Sequence, residues 1–212
     1  MPNAPVSKAP PDSAALAVAL SPLPPPESGL PADGQRLEFS ARGERVEARL
    51  HLAPGPDASR PLAIFIHDEA GGPDDHELHR CLEAGTSVLE LNWPLTGARR
   101  SPKMSARLLA AVARGESDPA HSILVGQFRR QALEEFDCLL AAIECVPELH
   151  ARRLQRLDLT FTAKRRLAAA EDHEAFAPLG SALSRRHEEA EGGFDPTQAN
   201  EAVADFLAAL SN

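Results

Sequence analysis

The densest run of groups able to carry protons or bind ions lies between positions 67 and 79. His67, Asp68, Glu69, Asp74, Asp75, His76, Glu77 and His79 crowd together there. His76 and His79 stand three apart, so on a helix they share a face, and with a carboxylate they form a donor set of the kind zinc accepts. The spacing matches no established zinc signature, and a polar loop leading into a capped helix accounts for the same residues. No metal and no cofactor is expected. The thiols are Cys81, Cys138 and Cys145. Cys138 and Cys145 sit two helical turns apart, ~10 Å along the axis, too far for a disulfide. No C-x-x-C pair is present, and a sparse, odd cysteine count fits a reducing compartment, so a cytoplasmic location is expected. Two basic clusters, Arg99-Arg100 with Lys103 and Lys164-Arg165-Arg166, lack interleaved aromatics and read as solvated faces. Trp93 reads as core or rim packing.

Charge narrows the partners. Across 212 residues, 22 basic side chains face 31 acidic ones, a formal net charge of −9. A surface of that sign repels phosphate backbones and anionic bilayers, so neither nucleic acid nor membrane is an expected partner. No apolar run reaches the roughly 18 residues of a membrane-crossing helix.

The elements that must position these groups follow from periodicity. Residues 1–33 are rich in Pro, Ala and Ser, including Pro24-Pro25-Pro26, and cannot bury enough apolar surface to offset ordering entropy. They read as a disordered or extended leader. The apolar stretch Ala14–Leu20 lacks the length and cleavage pattern of a signal peptide. From Leu37 the pattern changes. Leu37 and Phe39 alternate with polar residues, Gly43 makes a turn, and Val46, Ala48, Leu50 and Leu52 alternate with Glu47, Arg49 and His51, the signature of a hairpin with one buried face. Leu62–Ile66 is a continuous apolar run suited to a strand buried on both sides, and Val88–Leu91 reads as the next strand. Helices are expected at Asp74–Ala84, at Ser101–Arg114 and at Ser122–Leu149, the last bearing Phe128, Ala132, Phe136, Leu139, Leu140 and Ile143 on one stripe and ended by Pro147. Leu157, Leu159 and Phe161 mark a strand from Arg156 to Thr162. Ala163–Arg186 reads as helical in two pieces, with His187 exposed at its end. Asp195-Pro196-Thr197-Gln198 is a helix start with a capping box. The expected fold class is α/β, a mixed, largely parallel sheet covered by helices. Residues 34–212 are expected to form one domain.

Certain stretches resemble the α/β-hydrolases over about Gln35 to Leu210. Pro61–His67 followed by Gly71-Gly72 is similar to that family's third strand and oxyanion loop. Leu91–Ser101 is similar to its next strand and loop, and the long helix ending near Arg152-Arg153-Leu154 to the helix that leads into the nucleophile strand. Gly192-Gly193-Phe194-Asp195-Pro196 with its amphipathic helix resembles the C-terminus of dienelactone-hydrolase-like members. The resemblance implies an esterase-type fold and a small-molecule ester as ligand. It places Thr162 at the nucleophile, Asp172 at the acid, and His67 and Asp68 in the oxyanion loop.

This sequence departs from the family at each of those places. The elbow reads Thr160-Phe161-Thr162-Ala163-Lys164 where a serine between glycines is required, and a β-branched residue suits a strained elbow poorly. Gly192 stands at the histidine position, while His173 and His187 lie elsewhere. Asp68 and Glu69 follow His67, and carboxylates there oppose a developing oxyanion. The interval from Thr162 to Asp172 is too short for the family's later strands, so the domain is internally shortened. Three readings follow: a catalytically degenerate hydrolase, an ester or lactone hydrolase with unconventional residues, and a small binding module.

Overall fold

The computed structural model describes residues 17–23, 34–54, 61–68, 73–114, 121–150, 152–161, 183–188 and 193–210. Its centre is a seven-stranded sheet of order β1-β2-β3-β5-β4-β6-β7. The strands are β1 (Ala19–Pro22), β2 (Gly34–Ala41), β3 (Glu44–His51), β4 (Pro61–His67), β5 (Ser87–Asn92), β6 (Arg153–Phe161) and β7 (Leu183–Glu188). The helices are α1 (Asp75–Glu83), α2 (Pro102–Arg114), α3 (His121–Cys145) and α4 (Pro196–Ala209), with a 3-10 turn at Gly97–Arg99. The class is α/β with a mixed sheet, as the alternating elements imply. Its parallel share is smaller than expected: β4 pairs parallel with β5 and β6, while the flanking pairs, β1–β2, β2–β3, β3–β5 and β6–β7, are antiparallel.

The β2–β3 hairpin turns through Arg42 (φ 56°) and Gly43 (φ 78°), a two-residue turn with both centres left-handed, whose twist matches that of the strands. In the central strands the apolar runs are buried on both faces. Leu62, Ile64 and Ile66 face one way and Ala63 and Phe65 the other. The strand expected at Arg156 begins earlier, at Arg153. Leu154 and Leu157 are three apart, which breaks a period of two. A register shift between Leu62 and Ala63, where Leu154 and then Arg156 are the partners, absorbs Gln155 and returns both leucines to one face.

Helices α2, α3 and α4 cover one face, where Phe128, Phe136, Leu139, Val112, Val203 and Phe206 join the strand residues in the main core. Trp93 closes it, stacked on Phe206 at 5.5 Å and donating its indole N–H to the Thr160 carbonyl at 2.7 Å. On the other face α1 packs Leu78, Cys81 and Leu82 against Ala53, Ala63, Phe65 and Val88. Asp74 caps α1, and Asp195 with Gln198 forms the expected capping box of α4.

One expectation about the elements is overturned. Leu183–Arg186 was expected as helix and is the start of β7, antiparallel to β6. Its side chains alternate across the sheet, and a strand docked on β6 can satisfy a polar sequence by ladder bonds that a solitary helix turn there would lack. Within the leader, Ala19–Pro22 is extended and paired to β2, with Val18 and Leu20 against the core. Among the described residues no helix is long and apolar enough to cross a membrane.

Candidate functional site

The loop after β4 leads to α1 on one face, and the loop after β5 leads to α2 on the other. Neighbouring parallel strands whose connections diverge in this way open a crevice at their carboxyl ends, the usual ligand position of an open α/β sheet. Here His67, Asp68, Asn92 and Trp93 stand at that place. Asp68 and Trp93 are buried. The His67 ring is held from inside the molecule. Its Nδ1 lies 2.8 Å from the Asp68 carbonyl oxygen, which can only accept, and 3.4 Å from the Asn92 amide nitrogen, so this nitrogen is engaged in either tautomer. Asn92 donates from Nδ2 to the His67 carbonyl at 3.3 Å. Gly97 (φ +53°) lies so close to Asn92 that a Cβ would come within 2.5 Å of the amide oxygen, so a larger residue would displace this asparagine.

Behind His67 lies Glu90, on β5. Its Oε2 is 3.7 Å from His67 Nε2, and its Oε1 is 3.0 Å from Nε2 of the buried His51 on β3. Burial opposes ionisation of Glu90, but hydrogen bonds and charge from His51 and His67 outweigh it and hold its carboxyl at about 2. Each imidazole takes a different carboxylate oxygen, so the three side chains form a chain and do not converge on a centre. No group of three or more His, Cys, Asp or Glu among the described residues is placed to hold a metal ion.

A second polar cluster joins α1, β6 and β7. Arg156 reaches Glu77 and Asp158, lies 4.8 Å over the Phe65 ring and contacts Cys81 Sγ at 3.5 Å. Arg186 donates from Nε to Asp158 at 2.9 Å and from Nη2 to Glu77 at 2.6 Å. Glu77 loses some ionisation to burial and gains more from the two guanidiniums, so its carboxyl lies below the usual range. Burial pushes the Cys81 thiol up, away from nucleophilic use.

Of the residues singled out from sequence, Thr162 and Asp172 lie outside the described residues, as do Glu69, His173 and Gly192. His67 and Asp68 are brought to the carboxyl end of β4. His76 and His79 are exposed on α1, while Glu77 turns to the arginines. Arg99, expected in a solvated cluster, makes a two-pronged ion pair with the buried Glu135 at 2.5 and 2.7 Å, because the turn after β5 carries it onto α3. His187, expected to be exposed, is half-buried in β7. His51 had been assigned to the solvent side of its strand and is buried. Sequence reasoning passed over Glu90. The signal was present: a carboxylate inside Val88-Leu89-Glu90-Leu91, a run buried on both faces, must have an internal partner.

No protein-family model matches this chain, and no curated protein matches it. Among solved structures, a similarity is found to acetyl xylan esterase 1 from Thermoanaerobacterium sp. JW/SL YS485, at 19% identity and a TM-score of 0.36. The alignment covers 63% of this chain and 41% of that one, so the chain spans less than half of the esterase's length.

Proposed function

We propose that this chain is a hydrolase-like α/β scaffold that does not hydrolyse esters. The observation that carries the reading is the His67 ring, engaged at Nδ1 by the Asp68 carbonyl and turned at Nε2 toward Glu90. A general base must present a free ring nitrogen to its nucleophile, and this one faces inward. The ionised Glu90 also sets negative charge beside His67, in the loop that the resemblance gives to the oxyanion. The thiol content supports a reducing, cytoplasmic setting, since the described cysteines form no disulfide.

The test is hydrolysis of p-nitrophenyl acetate by the purified chain beside Thr162→Ala and Thr162→Ser. We expect no turnover above buffer for any of the three. Loss of nucleophile and base together removes on the order of a millionfold in rate, and a serine without a base stays inert. Turnover by the native chain that Thr162→Ala abolishes would overturn the reading.

One observation favours the alternative of an active ester or lactone hydrolase. Phe161 pairs with Leu183, so the connection carrying Thr162 and Asp172 leaves and rejoins the sheet at the carboxyl end of β6. The same assay decides between the two.

A further inference from the structure

β7 differs from the central strands of the sheet in what holds it. Of Leu183-Ser184-Arg185-Arg186-His187-Glu188, only Leu183 is aliphatic, and it is half-buried. In β4, by contrast, all five residues from Leu62 to Ile66 are buried apolar side chains. Among the described residues the sole strand paired to β7 is β6, through a six-position antiparallel register from Arg156–Glu188 to Phe161–Leu183. Leu183 apart, its side-chain attachment is ionic, and Glu188 shares in it at 3.9 Å from Arg156 of β6. Arg186 grips Asp158 and Glu77, yet its side chain is 48% exposed, so salt reaches the pair. Among the described residues His187 Nε2 is buried without a hydrogen-bond partner, a cost of seating that release would relieve.

The inner half of the cluster is built to survive that release. Arg156, with a side chain 14% exposed, contacts both Glu77 and Asp158 and rests on Phe65. When Arg186 leaves, neither carboxylate is stranded without a cation. With Arg186 seated, Glu77, Asp158 and Glu188 meet Arg80, Arg156 and Arg186. Release of β7 removes Arg186 and Glu188 together, and Arg156 with Arg80 still balances Glu77 and Asp158.

We propose that β7 is a salt-releasable strap on the edge of β6, with Arg186 as its fastener. Release uncovers the backbone edge of β6 as far as Phe161, the residue that precedes Thr162, while β4, β5 and the main core stay paired. Opening of a strand without unfolding of the whole is the local behaviour expected where apolar anchoring is thin.

Amide hydrogen exchange on the full chain, read by mass spectrometry over peptides spanning 183–188 and 61–67, tests this. Ionic strength is raised from about 0.01 M to about 1 M, which shortens the Debye length from about 30 Å to about 3 Å. Exchange in β7 should accelerate about tenfold, with β4 unchanged. Arg186→Gln should show the fast rate already at low salt and lose most of the salt response, the 3.9 Å Glu188–Arg156 contact being what remains. Arg186→Lys should keep part of it. Arg185→Gln, on the same strand but in no ion pair with a described residue, should behave as native. Equal rates in β7 and β4 at both salt levels would overturn the proposal, because β7 would then open only with the whole molecule. So would an Arg185→Gln effect as large as that of Arg186→Gln, since any edge charge would then serve.

Discussion

Phe136 and Glu90 lie on opposite faces of one sheet, and each is buried for a different reason. Phe136, fully buried on α3, belongs to a continuous apolar layer with Phe128, Leu139, Phe206 and the strand leucines. Its burial is favourable in itself and has no preferred direction. Glu90 is on the face that only α1 covers among the described helices, and its burial is tolerable because His51 and His67 hold its two oxygens. Across Phe65 on that same face, Arg156 serves Glu77 and Asp158. One face is held by area and the other by geometry and charge. The first should respond to lost volume and ignore pH and salt, and the second should do the reverse.

The largest expected effect tests the covered face. Phe136→Ala should cost about 3–5 kcal/mol in urea unfolding, with the shape of the stability-versus-pH curve unchanged. A loss below about 1 kcal/mol would show that the aromatic layer is loosely packed and would remove the contrast. The next tests the polar face. Glu90 has a folded carboxyl value of about 2, below its ordinary 4.5. Its contribution is therefore complete above about pH 4.5 and is lost as pH falls toward 2. Glu90→Gln should cost about 1–3 kcal/mol at neutral pH and should flatten the native loss of stability across that window. Glu77, also lowered, is untouched in the variant, so part of the slope should remain. An identical acid slope in native and variant protein would show that Glu90 is not held as described. The smallest effect compares the faces directly. Asp74 caps α1 and Asp195 caps α4 through the same acceptance of backbone N–H groups. Alanine at either position should cost about 1 kcal/mol, read as a shift in thermal midpoint. Equal losses would show that caps act locally whatever the face. A much larger loss at Asp74 would mean that α1 is the weaker helix and that its face depends on it.

Much of this architecture was legible in the chain. Leu62–Ile66 and Val88–Leu91 lie in strands, Val46–Leu52 does so as far as His51, and α1 to α4 begin and end within a few residues of their expected limits. These signals are local: a period of two or 3.6, a turn glycine at Gly43, an Asp-Pro helix start. What was misread depends on neighbours distant in sequence. His51 alternates with Glu47 and Arg49 and so reads as solvent-facing, but its ring meets Glu90, 39 positions on by residue number. Arg99 looked solvated until α3 brought Glu135 to it. Leu183–Glu188 has no strand pattern of its own and becomes a strand because β6 offers it an edge.

By itself, then, the sequence determined the order of elements from β2 to β6 and the last helix, the apolar faces, the caps, and a net charge of −9 that disfavours nucleic acid. Those properties arise from each residue and its near neighbours, and apolar burial needs only the right period. The tertiary structure alone decided which charges are paired: Glu90 with two imidazoles, Asp158 and Glu77 with two guanidiniums, Glu135 with Arg99. A buried charge is stable only beside a specific partner within about 4 Å, and spacing along the chain does not encode that distance.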